Sequence, residues 1–199
     1  MKKIILTSLC LCLLCGCSNV RRIVSQNGRY LVSAIGIDKA ESGVLVSLEA
    51  VVVNSQDSEQ DIKPRVFEGR GENVETAFKE ASLKTAKPFD LSHCAIIVLG
   101  QNISDKITEE VYDFCFKNSE LTVSVGFVSS KNANTLLNQK PISDITVGYE
   151  IATMLETQYS QNKIAFNNRF FEIANLMLKG AVQEKLPFFK ISEQEYFLE

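Results

Sequence analysis

The stretch from Asn73 to Gly100, NVETAFKEASLKTAKPFDLSHCAIIVLG, changes its hydrophobic period halfway along. Its first half has the i, i+3, i+4, i+7 spacing of an amphipathic helix, with apolar side chains at Val74, Ala77, Phe78 and Ala81. Asn73 is positioned to cap this helix and Pro88 to stop it. The second half contains a continuous apolar run, Ala95–Leu99, which is typical of a strand covered on both faces.

Further strands and helices are predicted on either side of this stretch. Before it, the β-rich runs 30–37 and 44–53 predict a hairpin, and a polar loop over 54–63 leads to a third strand at 65–70. After it, the patterns predict a helix capped by Ser104 with the stripe Ile107, Val111, Phe114 and Cys115, a strand at 121–128, helices at 133–137, 147–159 and 170–179, and a last strand at 186–191. This order indicates a single α+β domain, with a mixed β-sheet packed against several helices. The two helix stripes predict that Phe78 and Phe114 lie in the core.

The first residues of the chain have the pattern of an export signal. Lys2 and Lys3 precede an apolar run of eleven residues, Ile4–Leu14, which is shorter than the roughly 20 residues that span a bilayer. The run ends in Leu14-Cys15-Gly16-Cys17, which resembles the bacterial lipobox. This resemblance implies cleavage before Cys17 and attachment of a diacylglycerol to its thiol, which would anchor the protein to a membrane. A plain secretory signal or an uncleaved anchor is the alternative.

These patterns predict three regions. Residues 1–16 form a lipoprotein signal peptide, residues 17–28 carry the lipid anchor and a polar, basic tether, and residues 29–199 form the folded domain. The prediction for a membrane partner rests on Cys17.

Composition argues against several functional classes. The chain has 199 residues, with 21 Lys and Arg against 24 Asp and Glu, so it lacks the basic excess expected of a nucleic-acid-binding protein. Cys94 and Cys115 are the only cysteines after Cys17, and no CxxC motif accompanies the single His93. We therefore predict no metal site, and two buried thiols in preference to a disulfide.

No motif indicates catalysis or cofactor binding. The GxxxxGK[ST], GxGxxG and GxSxG patterns are absent from the sequence, and His93 precedes a buried strand, where a structural role is favoured over that of a base. The carboxylate pairs and runs are interpreted as solvated surface or as weak calcium patterns: Glu109/Glu110, Glu193/Glu195 and Asp57/Glu59/Asp61. The aromatic stripe Phe166, Phe170 and Phe171 favours core packing over a partner groove. The sequence thus predicts a protein that is not an enzyme and has no catalytic residues or cofactor.

Several short motifs occur in an order that resembles a known family. They are Ile35-Gly36-Ile37-Asp38, Glu68-Gly69-Arg70-Gly71-Glu72, Leu91-Ser92-His93, Ile96-Ile97-Val98-Leu99-Gly100 and Leu186-Pro187, all following the lipobox. This series is similar to the amino-terminal domain of the spore germination receptor C-subunit lipoproteins, the Ger(x)C family. The resemblance implies a non-catalytic subunit on the outer face of the inner spore membrane, assembled with A- and B-type membrane subunits.

The same motifs also have local interpretations. Gly36 and Gly69 are predicted to end strands, where a small residue permits a bend, and Asp38 to accept hydrogen bonds in the turn that it opens. A lipid-anchored solute-binding protein is the main alternative function, and an envelope hydrolase is a third that the missing motifs disfavour.

Overall fold

The computed structural model describes residues 28–52, 64–142, 146–161, 168–179, 185–192 and 195–198. The strands are β1 (Tyr30–Lys39), β2 (Val44–Val52), β3 (Pro64–Gly71), β4 (Phe89–Asp90), β5 (Ile96–Gly100), β6 (Gly126–Ser130), β7 (Phe188–Ser192) and β8 (Glu195–Leu198). The helices are α1 (Val74–Leu83), α2 (Asp105–Lys117), α3 (Ala133–Leu137), α4 (Val147–Ser160) and α5 (Phe170–Leu178). None of the helices in these described ranges is long and apolar enough to cross a membrane.

All eight strands belong to one mixed sheet, in the order β3-β2-β1-β5-β6-β7-β8, with β4 also paired to β1. Strands β1, β2 and β3 are antiparallel neighbours, and β7 pairs with β8 in the same way. The central pairs β1–β5, β5–β6 and β6–β7 are parallel. The predicted α+β domain with a mixed sheet is therefore confirmed.

Polar side chains cap the helices where the sequence predicts them. The Asn73 side chain accepts from the Thr76 backbone N–H at 2.9 Å, and the Thr76 hydroxyl accepts from the Asn73 N–H at 3.2 Å, which completes a capping box. Ser104 accepts from the Ile107 N–H at 3.4 Å at the start of α2. Both predicted caps are confirmed.

The sheet separates two hydrophobic cores. Alternate residues of β5 face opposite ways, so that Ile97 and Leu99 join one core while Ile96 and Val98 join the other. The first core receives α1, α2 and α5 together with many rings, and we call its side of the sheet the aromatic face. The second receives α3 and α4 and the buried carboxylates Asp38, Glu49 and Glu150, and we call its side the carboxylate face.

Two predictions about these elements are wrong. Strand β6 begins at Gly126 and not at Leu121, because the preceding residues turn, with the Val125 N–H donating to the Thr122 carbonyl at 3.2 Å. As a result Val123 is 65% exposed, although the alternating pattern placed it on a buried strand face. Phe78 and Phe114 are only partly buried and pack at the edge of the core.

The two glycines do not end their strands. Gly36 lies inside β1, facing Ala133 and Leu137 of α3, and the irregularity of this strand falls between Val32 and Ala34. Gly69 lies inside β3, where a Cβ would collide with the backbone of α1 at Ala77 and Ala81. Its missing side chain therefore lets α1 pack directly on the strand.

Candidate functional site

A cleft of about 780 Å³ opens on the aromatic face, between α1, β4 and α2. Its apolar lining includes Val74, Phe78, Pro88, Phe89, Leu91 and Phe114. The rings of Phe78 and Phe114 lie 5.2 Å apart, and the ring of Phe78 lies 6.4 Å from that of Phe89. These partly exposed rings form an apolar floor that the helix stripes did not predict.

Carboxylates surround this floor. The lining includes four acidic side chains, Glu75, Glu110, Asp113 and Glu120, against the single basic residue Lys117. Lys117 Nζ lies 3.8 Å from Asp113 Oδ2, and Lys106 Nζ lies 4.0 Å from Glu110 Oε1. The Glu110 Oε2 atom is buried and has no hydrogen-bond partner among the described residues. We call this site the acidic cleft.

The start of the described domain lies at the rim of the acidic cleft. The Tyr30 N–H donates to the Pro88 carbonyl at 3.0 Å. The Arg29 guanidinium lies 3.7 Å from a Glu120 carboxylate oxygen and 3.9 Å from Asp90. Two of these three partners, Pro88 and Glu120, also line the cleft.

Two buried carboxylates on the carboxylate face bind helix N-termini. Glu49 accepts from the backbone N–H groups of Val147 and Gly148, each at 2.8 Å, and from the Ser33 hydroxyl at 2.8 Å. Asp38 accepts from the N–H groups of Ala133 at 2.8 Å and Asn134 at 2.7 Å. These bonds satisfy donors that a helix leaves unpaired in its first turn.

Burial raises the pKa of both carboxyl groups, and the hydrogen bonds from the helix backbones oppose that shift. Their donors come from the protein itself, so the pair fixes α3 and α4 against the sheet.

Asp38 was predicted to accept bonds within the turn that it opens, and this is wrong, because its donors lie on α3. Glu49 was not singled out at all. Its alternating position in β2 predicts a solvated side chain, so the sequence offered no signal of its burial.

Three chain segments that carry exposed apolar side chains adjoin at one corner of the domain. The ring of Phe116 contacts that of Phe170 at 4.7 Å, and the Phe171 N–H donates to the Val123 carbonyl at 3.0 Å. Phe116, Val123 and Phe171 are themselves exposed. We call these three residues the aromatic corner. Phe170 is buried in the core as predicted, whereas Phe171 is not, and Phe166 lies outside the described residues.

His93 is exposed. Its backbone carbonyl accepts a hydrogen bond from the Tyr149 hydroxyl at 3.1 Å. Glu109 is exposed, whereas its neighbour Glu110 faces the acidic cleft.

Cys94 and Cys115 are free and buried, as predicted. Burial raises the pKa of the Cys115 thiol to about 12 and that of Cys94 further. Within the described ranges, no group of three or more His, Cys, Asp or Glu side chains is arranged to hold a metal ion. Cys17, Asp57, Glu59, Asp61 and Glu193 lie outside those ranges.

The chain matches the model of a known protein family. The family model described as the spore germination protein N-terminal domain matches residues 26–190, which include the acidic cleft, the buried carboxylates and the aromatic corner. Searches of the curated proteins and of the solved structures gave no match.

Proposed function

Since the chain belongs to the family of the spore germination protein N-terminal domain, we propose that it is a non-catalytic lipoprotein subunit of a spore germinant receptor. It acts in nutrient-triggered germination by docking to the A- and B-type membrane subunits. The family match over residues 26–190 is the observation that carries this proposal. It agrees with the Ger(x)C resemblance of the sequence motifs.

The proposed anchor is a diacylglycerol on Cys17, exposed by removal of residues 1–16, on the outer face of the inner spore membrane. The apolar run Ile4–Leu14 and the lipobox-like Leu14-Cys15-Gly16-Cys17 support it. Residues 17–28 then connect the lipid to the domain that starts at residue 29. Two or more acyl chains give stable membrane attachment, whereas one chain gives only marginal binding.

The proposed lack of catalysis agrees with the chemistry of the described side chains. A nucleophilic thiol must be ionised to react, and burial raises the pKa of Cys94 and Cys115 far above neutral pH. His93, the only histidine in the sequence, is exposed. Asp38 and Glu49 direct their oxygens to backbone donors of α3 and α4.

The aromatic corner is the surface that we assign to docking. Large exposed aromatic residues are enriched in protein interfaces, where they supply much of the binding energy. Phe116, Val123 and Phe171 are exposed and come from three chain segments, which the Phe116–Phe170 ring contact and the Phe171–Val123 backbone hydrogen bond hold together. A membrane subunit that presents an apolar surface would bury them.

Membrane attachment is tested by replacing Cys17 with Ala and fractionating the cells. We expect wild type to take up labelled fatty acid and to sediment with membranes, and Cys17→Ala to lose both properties. Uptake of label by Cys17→Ala, or none by wild type, would contradict the proposed anchor.

Docking is tested by capture of the full-length lipoprotein with detergent-solubilised A and B subunits. Phe171→Ser should reduce capture about tenfold, as expected for an aromatic interface anchor. Tyr159→Ser, on α4, is the matched control because Tyr159 is 45% exposed and Phe171 is 42% exposed. Equal loss in both variants, or capture of neither subunit by wild type, would refute docking through the aromatic corner.

A lipid-anchored solute-binding protein is the second candidate function. The acidic cleft favours it, since its volume of about 780 Å³ lies in the range of small-molecule sites. A thermal-shift screen of small nutrients distinguishes the two functions. A true ligand at 100 times its Kd adds about 2.7 kcal/mol to the unfolding free energy, and the receptor-docking function predicts no such shift for the isolated protein.

A further inference from the structure

We propose that the segment Ser18–Asn27, SNVRRIVSQN, binds in the acidic cleft of its own domain. Three features support this binding: the location of residue 28, the charges of the segment and the cleft, and their apolar surfaces. The binding does not depend on receptor membership or on the lipid at Cys17.

The segment joins the domain at the rim of the cleft. Arg29 pairs with Glu120, and the Tyr30 N–H donates to the Pro88 carbonyl, so the preceding residue, Gly28, begins next to two cleft-lining residues. Ten residues can extend about 35 Å. The segment is therefore held close to the cleft, and binding within one chain gains from a high effective concentration.

The charges of the segment and the cleft are complementary. The segment contains Arg21 and Arg22 and no acidic residue. Four carboxylates and one lysine line the cleft, and Lys106 and Arg29 pair with two of these carboxylates from outside the lining. The buried Glu110 Oε2 has no hydrogen-bond partner among the described residues. A buried acceptor without a partner is unfavourable, and a guanidinium donates several N–H groups in a planar fork that suits a carboxylate.

The apolar residues also match. Val20, Ile23 and Val24 flank the two arginines. The cleft floor offers the partly exposed rings of Phe78 and Phe114 at 5.2 Å from each other. Aliphatic side chains on these rings would remove apolar surface from water, while Arg21 and Arg22 reach the surrounding carboxylates.

Disulfide trapping in the full-length chain tests the proposal. Ile23→Cys is combined with Ser119→Cys, an exposed residue that lines the cleft. The matched control combines Ile23→Cys with Ser92→Cys, which is exposed and does not belong to the cleft lining. Ser119 is adjacent to Glu120 and Ser92 lies two residues from Asp90, so both are close to a partner of Arg29.

The rate of formation of each cross-linked peptide pair is measured by mass spectrometry under mild oxidation. The chain without added cysteines sets the background. We expect the Ser119 pair to form about tenfold faster than the Ser92 pair, and the excess to disappear in 0.5 M salt or with Arg21→Glu/Arg22→Glu, because exposed ion pairs are weak and screened. Glu75→Arg/Asp113→Arg should restore the fast rate to the arginine double variant.

Equal rates for the two pairs, or a fast Ser119 pair that ignores charge reversal, would overturn the proposal. A Ser119 cross-link found only between two chains would also overturn it, since the occupant would then be a second copy. Each variant must melt at the same temperature as wild type, so that misfolding is excluded as the cause of a lost excess rate.

Discussion

On the aromatic face, α1, α2 and α5 meet the sheet through rings such as Phe89, Phe127 and Phe170. On the carboxylate face, α3 and α4 also bury apolar residues, but their N-termini are held by Asp38 and Glu49. Ring packing is non-directional and scales with buried area, whereas a hydrogen bond requires each donor to meet its acceptor within a few tenths of an ångström.

The two faces therefore give the domain different properties. The aromatic face tolerates an open cleft, because partly exposed rings such as Phe78 and Phe114 still pack at its edge. The carboxylate face fixes the N-termini of α3 and α4 through hydrogen bonds, and it makes stability depend on the ionisation of Asp38 and Glu49.

The largest effect is expected on the aromatic face, from Phe127→Ala. The Phe127 side chain is fully buried, and its ring lies 5.4 Å from that of Tyr112 and 6.1 Å from that of Phe170. Truncation should lower the free energy of unfolding by about 3–5 kcal/mol, as measured by urea denaturation. Leu178→Ala, at a residue that is 84% exposed, is the control and should change it by less than about 0.5 kcal/mol. A small effect of Phe127→Ala would show that this core does not carry the fold.

The next largest effect is expected on the carboxylate face, from Glu49→Ala at pH 7. The substitution leaves the N–H groups of Val147 and Gly148 without their acceptor, while the Ser33 hydroxyl keeps the Glu49 backbone carbonyl at 3.2 Å. We expect a loss of about 3 kcal/mol in unfolding free energy, because each buried unpaired donor costs about 1–3 kcal/mol. Glu49→Gln keeps one acceptor oxygen and should lose less, while the exposed Glu109→Ala should lose almost nothing. Equal losses for Ala and Gln at this position would mean that the hydrogen bonds do not stabilise the helix.

Changing the pH distinguishes the faces without truncating a side chain. Burial raises the pKa of Glu49 above its ordinary value of 4.5, so the folded state holds the proton more tightly than the unfolded state. The stability from this group is fully present below the ordinary value and is lost as the pH rises through the raised pKa. The unfolding free energy of wild type should therefore fall relative to that of Glu49→Gln as the pH increases from about 4. Parallel pH curves for the two proteins would contradict a raised pKa.

We expect the smallest effect from treating the native protein with an alkylating reagent, because its two thiols are buried in the aromatic face. A chain starting at Ser18 contains only Cys94 and Cys115, and burial raises the pKa of both. Alkylation at pH 8 should be at least about a hundredfold slower in the native protein than in urea, since the thiolate is the reactive form. Rapid labelling of the native protein would show that this core opens readily.

Local patterns predicted the elements that local physics determines. The helix stripe 74–81 and its Asn73 cap appear as predicted, and α3 matches its predicted bounds, Ala133–Leu137. The alternation from Leu121 to Val128 predicted a strand over the whole run. Its first residues instead form a turn, in which the Val125 N–H donates to the Thr122 carbonyl. The short strands β4 and β8 were missed, since two to four residues carry too little periodicity.

The candidate sites depend on contacts between distant segments, which the sequence patterns did not specify. A glutamate at an alternating position of β2 predicts a solvated side chain, and only the arrival of α4 makes Glu49 a buried acceptor. The acidic cleft likewise requires α1 and α2 to lie side by side, so that Phe78 and Phe114 become its floor. The proposed lipid site at Cys17 is the opposite case, because it depends on a short contiguous motif and needs no tertiary structure.

The buried carboxylates also determine when the domain can be completed. The hydrogen-bond donor of Asp38 lies 95 residues later in the chain, and that of Glu49 lies 98 residues later. At synthesis rates of about 5–20 residues per second, those donors emerge roughly 5–20 s after their acceptors. Until then two charged groups occupy positions that the finished fold buries, and the β1–β2 hairpin cannot reach its final state. Under the proposed export signal, the earliest strands would remain incomplete until α3 and α4 have been made.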